Sequence, residues 1–594
     1  MKKLLLVILT SIILSFTGRA QYYIRGTIND EHGKPLPNVK INLFSKGYIG
    51  LFSGSCGIPS SLRVDTIILE AEGYQLLKTA VNTSQFQQFV LKCLPATQPP
   101  PMHLSSVTKN LLASGRYSFV PSNESYSRQI QNDFVTCAEY PETGFALNVD
   151  RASYSNVRRM VKSGSFVPPD AVRIEEMLNY FNFKLPEEEG DILPAKGFTC
   201  LSQVTSAPWS KTNQLLFINL KAPKVDLTNL PPSNLVFLID VSGSMDKPNR
   251  LPLIQSAFKL LVENLRPIDT LAIVVYGGDI GVKLAPTSGA DKKKINDAID
   301  LLAPNGDTPG AGAIKAAYAE AAKSFNPNGN NRVILATDGD FNVGESSEKA
   351  LEELIIQQRQ SGIYLTCLGL GMGNYKDSKL ETLAKRGNGN FAYLDNMNEA
   401  EKVLIKEFTK TLYAVANDAF LHISFNPRMV SSYRLIGFDN RMEALNDSTA
   451  QLEGGEVGSG HSLVAIFEIV PVAKNVAPEG SDVIVAGRYG TIKLQYKIPG
   501  NTNTRKQQFS VPANFIPFDQ TDPAIQQAAA VAMFGELLKH SKFAAGYTWD
   551  DVRNIVANVN RKSDSVLDKE LLTLVDKARK IYTSGKKRKR NNKD

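Results

Sequence analysis

In the stretch LVFLIDVSGSMDKP, residues 235–248, an apolar run ends in Asp240 and is followed by Ser242 and Ser244. The i, i+2, i+4 spacing lets a turn aim alternate oxygens at one point. Hard divalent cations, Mg2+ above all, take such oxygens, with few carboxylates and several retained waters. NGDTPGAG places Thr308 in a loop just before a helix, and LATDGDFNVG places Asp338 at the end of another apolar run. An Asp or Ser after a strand commonly caps the next helix or makes a turn, so each loop alone reads that way first. All three loops in chain order are a more specific signal. They predict one site in which Asp240, Ser242, Ser244, Thr308 and Asp338 hold Mg2+, or Mn2+ or Ca2+, with water or a partner's carboxylate completing the shell.

Those oxygens converge only if the elements beneath them bring three loops to one edge. After residue 232, the apolar runs LVFLID, TLAIVVYGG, RVILATDG and IYLTCLGLG alternate with helical patterns near 251–265, 291–302, 310–324, 346–361 and 376–386. Continuous apolar strands, rather than alternating ones, mean that both sheet faces are covered. Helices between them imply right-handed crossovers and a doubly wound, mostly parallel sheet. In such sheets ligands bind in the crevice at the carboxyl ends of the strands, where strand order reverses. The fold class expected for 232–410 is therefore α/β.

The remaining chain is too long for one core, since domains run to about 100–200 residues. Residues 21–93 alternate in short runs (YYIRGTI, VKINLF, DTIILEAEGY, FQQFVLKCL), as a small β-sandwich does. A proline-rich linker, 94–129, follows. Residues 130–231 hold two helical patterns and then β-type runs. Residues 411–522 return to β runs, 523–583 are helical, and 584–594 form a basic tail expected to be disordered. No β run at 198–223, 419–427, 462–470 or 488–498 makes a stable sheet alone. They are expected to pair into one accessory β-rich domain into which the α/β domain is inserted.

The N-terminus, MKKLLLVILTSIILSFTGRAQ, reads as a secretory signal peptide with cleavage after Ala20. No later run reaches membrane-spanning length, so the expected location is extracytoplasmic: periplasm, outer-membrane surface or medium. The net charge of +8 dissolves on division, because the signal carries three of the positive charges and the tail a net five. A neutral body gives no reason to expect nucleic-acid binding. Of five cysteines, Cys56 and Cys93 share the small sandwich and are the expected disulfide, while Cys367 in IYLTCLGLG reads as a buried small hydrophobe. Oligomeric state is not legible.

DVSGSMD, GDTPGAG and LATDGDFNVG together resemble the metal-ion-dependent adhesion site of von Willebrand factor type A domains. That resemblance implies the same five ligands, some acting through water, and a protein ligand that supplies a carboxylate to the metal. NVDRASYSNVRR and VRIEEMLNYF upstream, GMGNYKDSKLETLAKRGNGNFAYLD within, and RLIGFDNR, GEVGSGH and AIFEIVP downstream resemble a bacterial envelope subfamily with dedicated flanks. Asp340 fits that subfamily's pattern. The loop MEALNDSTAQLEGGE has fewer carboxylates than the subfamily's acidic loop. IRGTINDEHGKPLPNVKINL, with EAEGY, resembles the carboxypeptidase-regulatory-like β-sandwich.

Enzymatic readings find little. GxSxG, HExxH and GxxxxGK[ST] are missing, and His32, His103, His422, His461 and His540 lack ligand spacing. GLGMGN at 369–374 lacks the third glycine of a dinucleotide fingerprint and reads as a tight strand-to-helix turn. The function expected is metal-assisted binding of a protein partner rather than catalysis. The alternative is a scaffold that binds through its β-rich flanks, with a structural or vestigial metal site.

Overall fold

The computed structural model describes residues 22–94, 124–127, 131–147, 149–183, 197–225, 230–306, 310–339, 348–372, 375–407, 413–438, 455–472, 487–499, 501, 503–561, 563 and 565–591. The signal peptide, most of the proline-rich linker, Asp307, Thr308, Asp340 and nearly all of the MEALNDSTAQLEGGE loop lie outside them. Among the described residues no helix is long and apolar enough to cross a membrane.

The N-terminal strands are β1 (Tyr22–Asp30), β2 (Val39–Leu43), β3 (Gly47–Phe52), β4 (Ser55–Ser60), β5 (Val64–Glu70), β6 (Leu77–Asn82) and β7 (Phe86–Leu91). They form two sheets, β4-β1-β7 and β3-β2-β5-β6. Alternate residues Ile24 and Ile28 of β1 and Ile67 and Leu69 of β5 fill the space between them. Cys56 and Cys93 are not joined; both are free thiols. Cys56 lies in β4 opposite Gly26, within the core, where burial pushes its thiol up to about 12, while Cys93 pairs with Tyr74 at the sheet margin. A well-filled core does without the staple expected from sequence.

This sandwich also sits directly on the α/β domain. The Ser55 carbonyl accepts from Ser256 Oγ at 3.2 Å, the Leu51 carbonyl accepts from Lys259 Nζ at 3.1 Å, and Arg25 pairs with Glu401 at 2.9 Å. The chain is bound again from residue 124, earlier than the expected linker end at 129. There Glu124 pairs with Arg159 at 2.7 Å, and Ser125 N–H donates to the Tyr375 carbonyl at 3.1 Å.

Next come β8 (Val135–Thr136), β9 (Glu142–Ala146), β10 (Thr199–Ser206) and β11 (Gln214–Lys221), then the α/β domain with β12 (Ser233–Asp240), β13 (Thr270–Tyr276), β14 (Gly281–Ser288), β15 (Asn330–Thr337), β16 (Ile363–Leu370) and β17 (Phe391–Leu394). The sheet order is β14-β13-β12-β15-β16-β17, parallel except for the β14 edge. All eight residues of β12 and of β15 are buried. Leu235, Phe237 and Ile239 face a core shared with helices Leu251–Glu263 and Lys292–Asp300, whereas Val236 and Leu238 face a core shared with Gly310–Lys323 and Asp377–Arg386. Two covered faces explain why the sequence reads as unbroken apolar runs. The chain leaves β12 for β13 on one side and returns to β15 on the other, which puts the crevice at the carboxyl end of β12. Cys367 of β16 is fully buried, and burial raises its thiol pKa.

The last strands are β18 (Ala414–Phe425), β19 (Val430–Ile436), β20 (Gly455–Gly458), β21 (Ser462–Pro471), β22 (Arg488–Lys497), β23 (Thr504–Pro512) and β24 (Phe515–Ile516). They complete two sheets, β24-β10-β11-β21-β19-β8 and β20-β18-β22-β23, with β9 added on β18. β11, before the α/β domain, pairs antiparallel with β21, after it, from Gln214↔Ile469 to Lys221↔Ser462. The α/β domain is thus inserted in an accessory sandwich. Its entry and exit touch: Ser233 Oγ and Tyr413 Oη lie 3.0 Å apart.

Leu216, Ile218 and Leu220 of β11 face the sandwich core, and Leu215 and Phe217 face a helical layer. That layer joins helices Ala152–Lys162 and Ile174–Tyr180 to helices Pro523–Leu538, Trp549–Asn560 and Val566–Asn591 in one core. The final helix continues to Asn591, through the tail expected to be disordered; lysine and arginine are good helix formers, and Gly585 alone does not stop it. A fragment of 419–583 lacks β10, β11 and both upstream helices. Expressed alone, it is expected to be digested rapidly by trypsin and to give no cooperative unfolding transition, whereas 124–583 yields a stable core.

Candidate metal centre

Asp240 is the last residue of β12, and its carboxylate is wholly buried. Oδ1 accepts the Ser242 N–H at 2.9 Å, and Oδ2 accepts from Thr337 Oγ1 at 2.8 Å and Tyr276 Oη at 3.2 Å. Burial pushes this carboxyl above its usual range and Asp338 adds to the rise, while the bonds from Ser242 and Thr337 oppose it. The side chain is therefore anchored from two neighbouring strands, and its charge is held at the base of the crevice.

The serine loop turns above it. A short 3-10 turn, Gly243–Met245, brings Ser242 Oγ within 3.1 Å of Ser244 Oγ. Adjacent ligands of an octahedral Mg2+, with metal–oxygen distances near 2.1 Å, lie about 3 Å apart, so the two hydroxyls already stand at ligand spacing. Hydroxyl and carboxylate oxygens with no nitrogen or sulfur suit a hard cation. Gly243 N–H donates to the Gly306 carbonyl at 3.1 Å and Asn305 N–H to the Val241 carbonyl at 2.6 Å, tying this loop to the one that leads to Thr308. Thr308 itself lies outside the described residues.

Glycine is required beside this loop. Gly277 follows β13 with φ +142°, and a Cβ there would lie 2.5 Å from Ser242 N. Gly277→Ala is expected to push the serine loop outward and lower Mg2+ affinity on the order of tenfold. Calorimetric titration beside a thermal melt would separate that loss from unfolding.

Asp338 follows β15, 2% exposed, and its Oδ2 accepts from Arg250 Nη1 in a close ion pair. Sequence reasoning missed Arg250. The same nitrogen donates to the Ser244 carbonyl at 2.6 Å, and Nη2 donates to the Met372 carbonyl at 3.0 Å, so one guanidinium joins the loops after β12, β15 and β16. Gly371, at φ +71°, makes room for it: a Cβ there would lie 2.4 Å from Nε. Gly371 and Met372 of the GLGMGN segment thus support the site, while Gly373 and Asn374 lie outside the described residues. The only sequence signal for Arg250 was a single cation between a turn, DKPN, and an apolar helix.

A second carboxylate group, Asp150, Glu176 and Glu381, brings its oxygens within 4.8 Å of one another. Two protein cations already lie against it. Arg173 pairs closely with Glu176, and with Asp377 at 2.7 Å and Glu381 at 3.7 Å; Lys385 also reaches Glu381, at 2.5 Å. The cluster reads as an interdomain ion-pair network rather than a metal centre.

Comparison with known proteins follows the same divisions. The model described as von Willebrand factor type A domain matches residues 234–407, that described as von Willebrand factor matches 120–217, and that described as Uncharacterized protein YfbK, C-terminal, matches 410–581. YfbK of Escherichia coli (strain K12) is 35% identical over 474 residues, covering 77% of this chain and 81% of that protein. Inter-alpha-trypsin inhibitor heavy chain H2 of Homo sapiens is 29% identical over 163 residues, 26% of this chain and 17% of the heavy chain. Among solved structures, von Willebrand factor type A from Catenulispora acidiphila aligns at TM-score 0.37 and 15% identity, over 62% of this chain and 87% of that one.

Proposed function

Because this chain belongs to the same family as YfbK of Escherichia coli and carries a von Willebrand factor type A domain, we propose that it is an extracytoplasmic binding protein that grips a partner's carboxylate through a bound divalent cation. Asp240, Ser242, Ser244, Thr308 and Asp338 would hold the ion, Mg2+ in the first instance, with Mn2+ or Ca2+ as substitutes. The metal supplies positive charge to an acidic side chain, and the protein fixes where that charge sits. The observation that carries this reading is the pair of serine hydroxyls 3.1 Å apart, above a buried carboxylate, at the carboxyl edge of the central strand. Binding is preferred to catalysis because hydrolysis would need a base beside the ion, for which the sequence offers only Asp340 or Asp307. The signal peptide would direct the chain out of the cytoplasm and be cleaved near Ala20, leaving a carboxypeptidase-regulatory-like sandwich at the N-terminus.

The ion pair between Arg250 and Asp338 also favours a second reading, in which the metal site is structural or vestigial and the β-rich flanks bind the partner. Capture of envelope proteins on the immobilised full chain, with Mg2+ or with EDTA, separates the two. A partner released by EDTA supports cation bridging, and a partner held equally in both supports the scaffold.

A further inference from the structure

Arg250 is 4% exposed, and its guanidinium lies against the carboxylate and carbonyl oxygens of three loops at the crevice. A buried cation among intended metal ligands needs a reason. Burial of a guanidinium is costly unless its charge is used, and a fixed positive charge beside a cation site weakens that site for any ion. The carboxylates assigned to the site are Asp240 and Asp338, so Arg250 cancels half of their negative charge. With a divalent ion bound, the assembly of Asp240, Asp338 and Arg250 keeps one net positive charge; without Arg250 it would be neutral.

We infer that Arg250 sets the charge of the cation site, so that the ion is held weakly alone and firmly only when a ligand carboxylate supplies the missing negative charge. This rests on the metal-bridging reading above. Arg250 then selects for acidic ligands without touching them, acting through Asp338 and through the ion. The same three-loop bracing would also be explained by a purely structural role, and the two differ in sign. A brace that is removed weakens metal binding, whereas a repelling charge that is removed strengthens it.

The test is calorimetric titration of Mg2+ into the wild type, Arg250→Gln and Arg250→Lys, each with and without glutarate as a small dicarboxylate. Wild type is expected to bind Mg2+ about tenfold more tightly with glutarate present. Arg250→Gln is expected to bind Mg2+ alone about tenfold more tightly than wild type and to gain little from glutarate. Arg250→Lys keeps the charge and is expected to retain the wild-type pattern. Arg250→Gln binding Mg2+ no tighter than wild type overturns the inference. So does a wild type indifferent to glutarate, a measurement that stands even if the variant does not fold. A wild type that binds no Mg2+ under either condition removes the metal-bridging reading itself.

Discussion

Asp240→Ala is expected to lower Mg2+ affinity by roughly 100-fold or more and to reduce partner capture to the level seen with EDTA. The variant deletes one of two carboxylates assigned to the site, and the one with no guanidinium against it. It also removes the acceptor for Ser242 N–H, Thr337 Oγ1 and Tyr276 Oη. Asp240 is fully buried at the end of β12, so a stability loss of about 1–3 kcal/mol accompanies the functional loss. Asp240→Asn keeps an acceptor oxygen and removes only the charge. It is expected to melt close to wild type yet bind Mg2+ as poorly as the alanine variant. Wild-type partner capture by Asp240→Asn would reject cation bridging.

The second large effect is structural. Arg173 is 2% exposed and bonds Glu176 on its own helix and Asp377 on a helix of the type A domain, with Glu381 one turn on. Arg173→Met would leave three buried carboxylates facing one another with no guanidinium between them. Breaking a buried pair in this way costs about 3–5 kcal/mol, and the denaturant midpoint should fall accordingly. Burial already pushes the Asp377 carboxyl up and Arg173 pulls it back, so the loss of that counter-charge falls hardest on Asp377 and Glu176, whereas Glu381 keeps Lys385. Combining Arg173→Met with Asp377→Asn should recover part of the stability. Full stability of the single variant would show that the network is not what fastens the flanking helices to the type A domain.

The type A domain was readable because its signals are local. Each strand is an unbroken apolar run, each helix has its own period, and Asp240, Ser242, Ser244 and Asp338 lie at the ends of two strands that pair side by side. The antiparallel β14 and the short β17 were not called out by that texture, since β14 is half exposed and β17 has four residues. Arg250 was invisible for a different reason. Its meaning depends on Asp338, 88 residues away, and on Met372, 122 residues away. The flanking helices at 152–162 and 174–180 show a period but not a partner, and their packing on Pro523–Leu538 is a pairing of segments across most of the chain. The expected disulfide failed because shared membership of a domain says nothing about the facing of two Cβ atoms.

The contact between Ser233 and Tyr413 bears on the order in which the molecule can be assembled. Once the type A domain has folded, its two ends meet, and from the standpoint of β11 and β21 the insert is a short loop. While it is unfolded, joining those strands means closing a loop of some 240 residues, between Lys221 and Ser462. Each doubling of loop length costs about 0.6 kcal/mol, so the difference from the roughly 60 residues that remain once Ser233 and Tyr413 are in contact is about 1 kcal/mol. The penalty falls on the sandwich alone, and it is relieved only from within. Folding from the inside outward is the expected order: the type A domain forms first, and the sheets around it close afterwards on ends that it has already brought together.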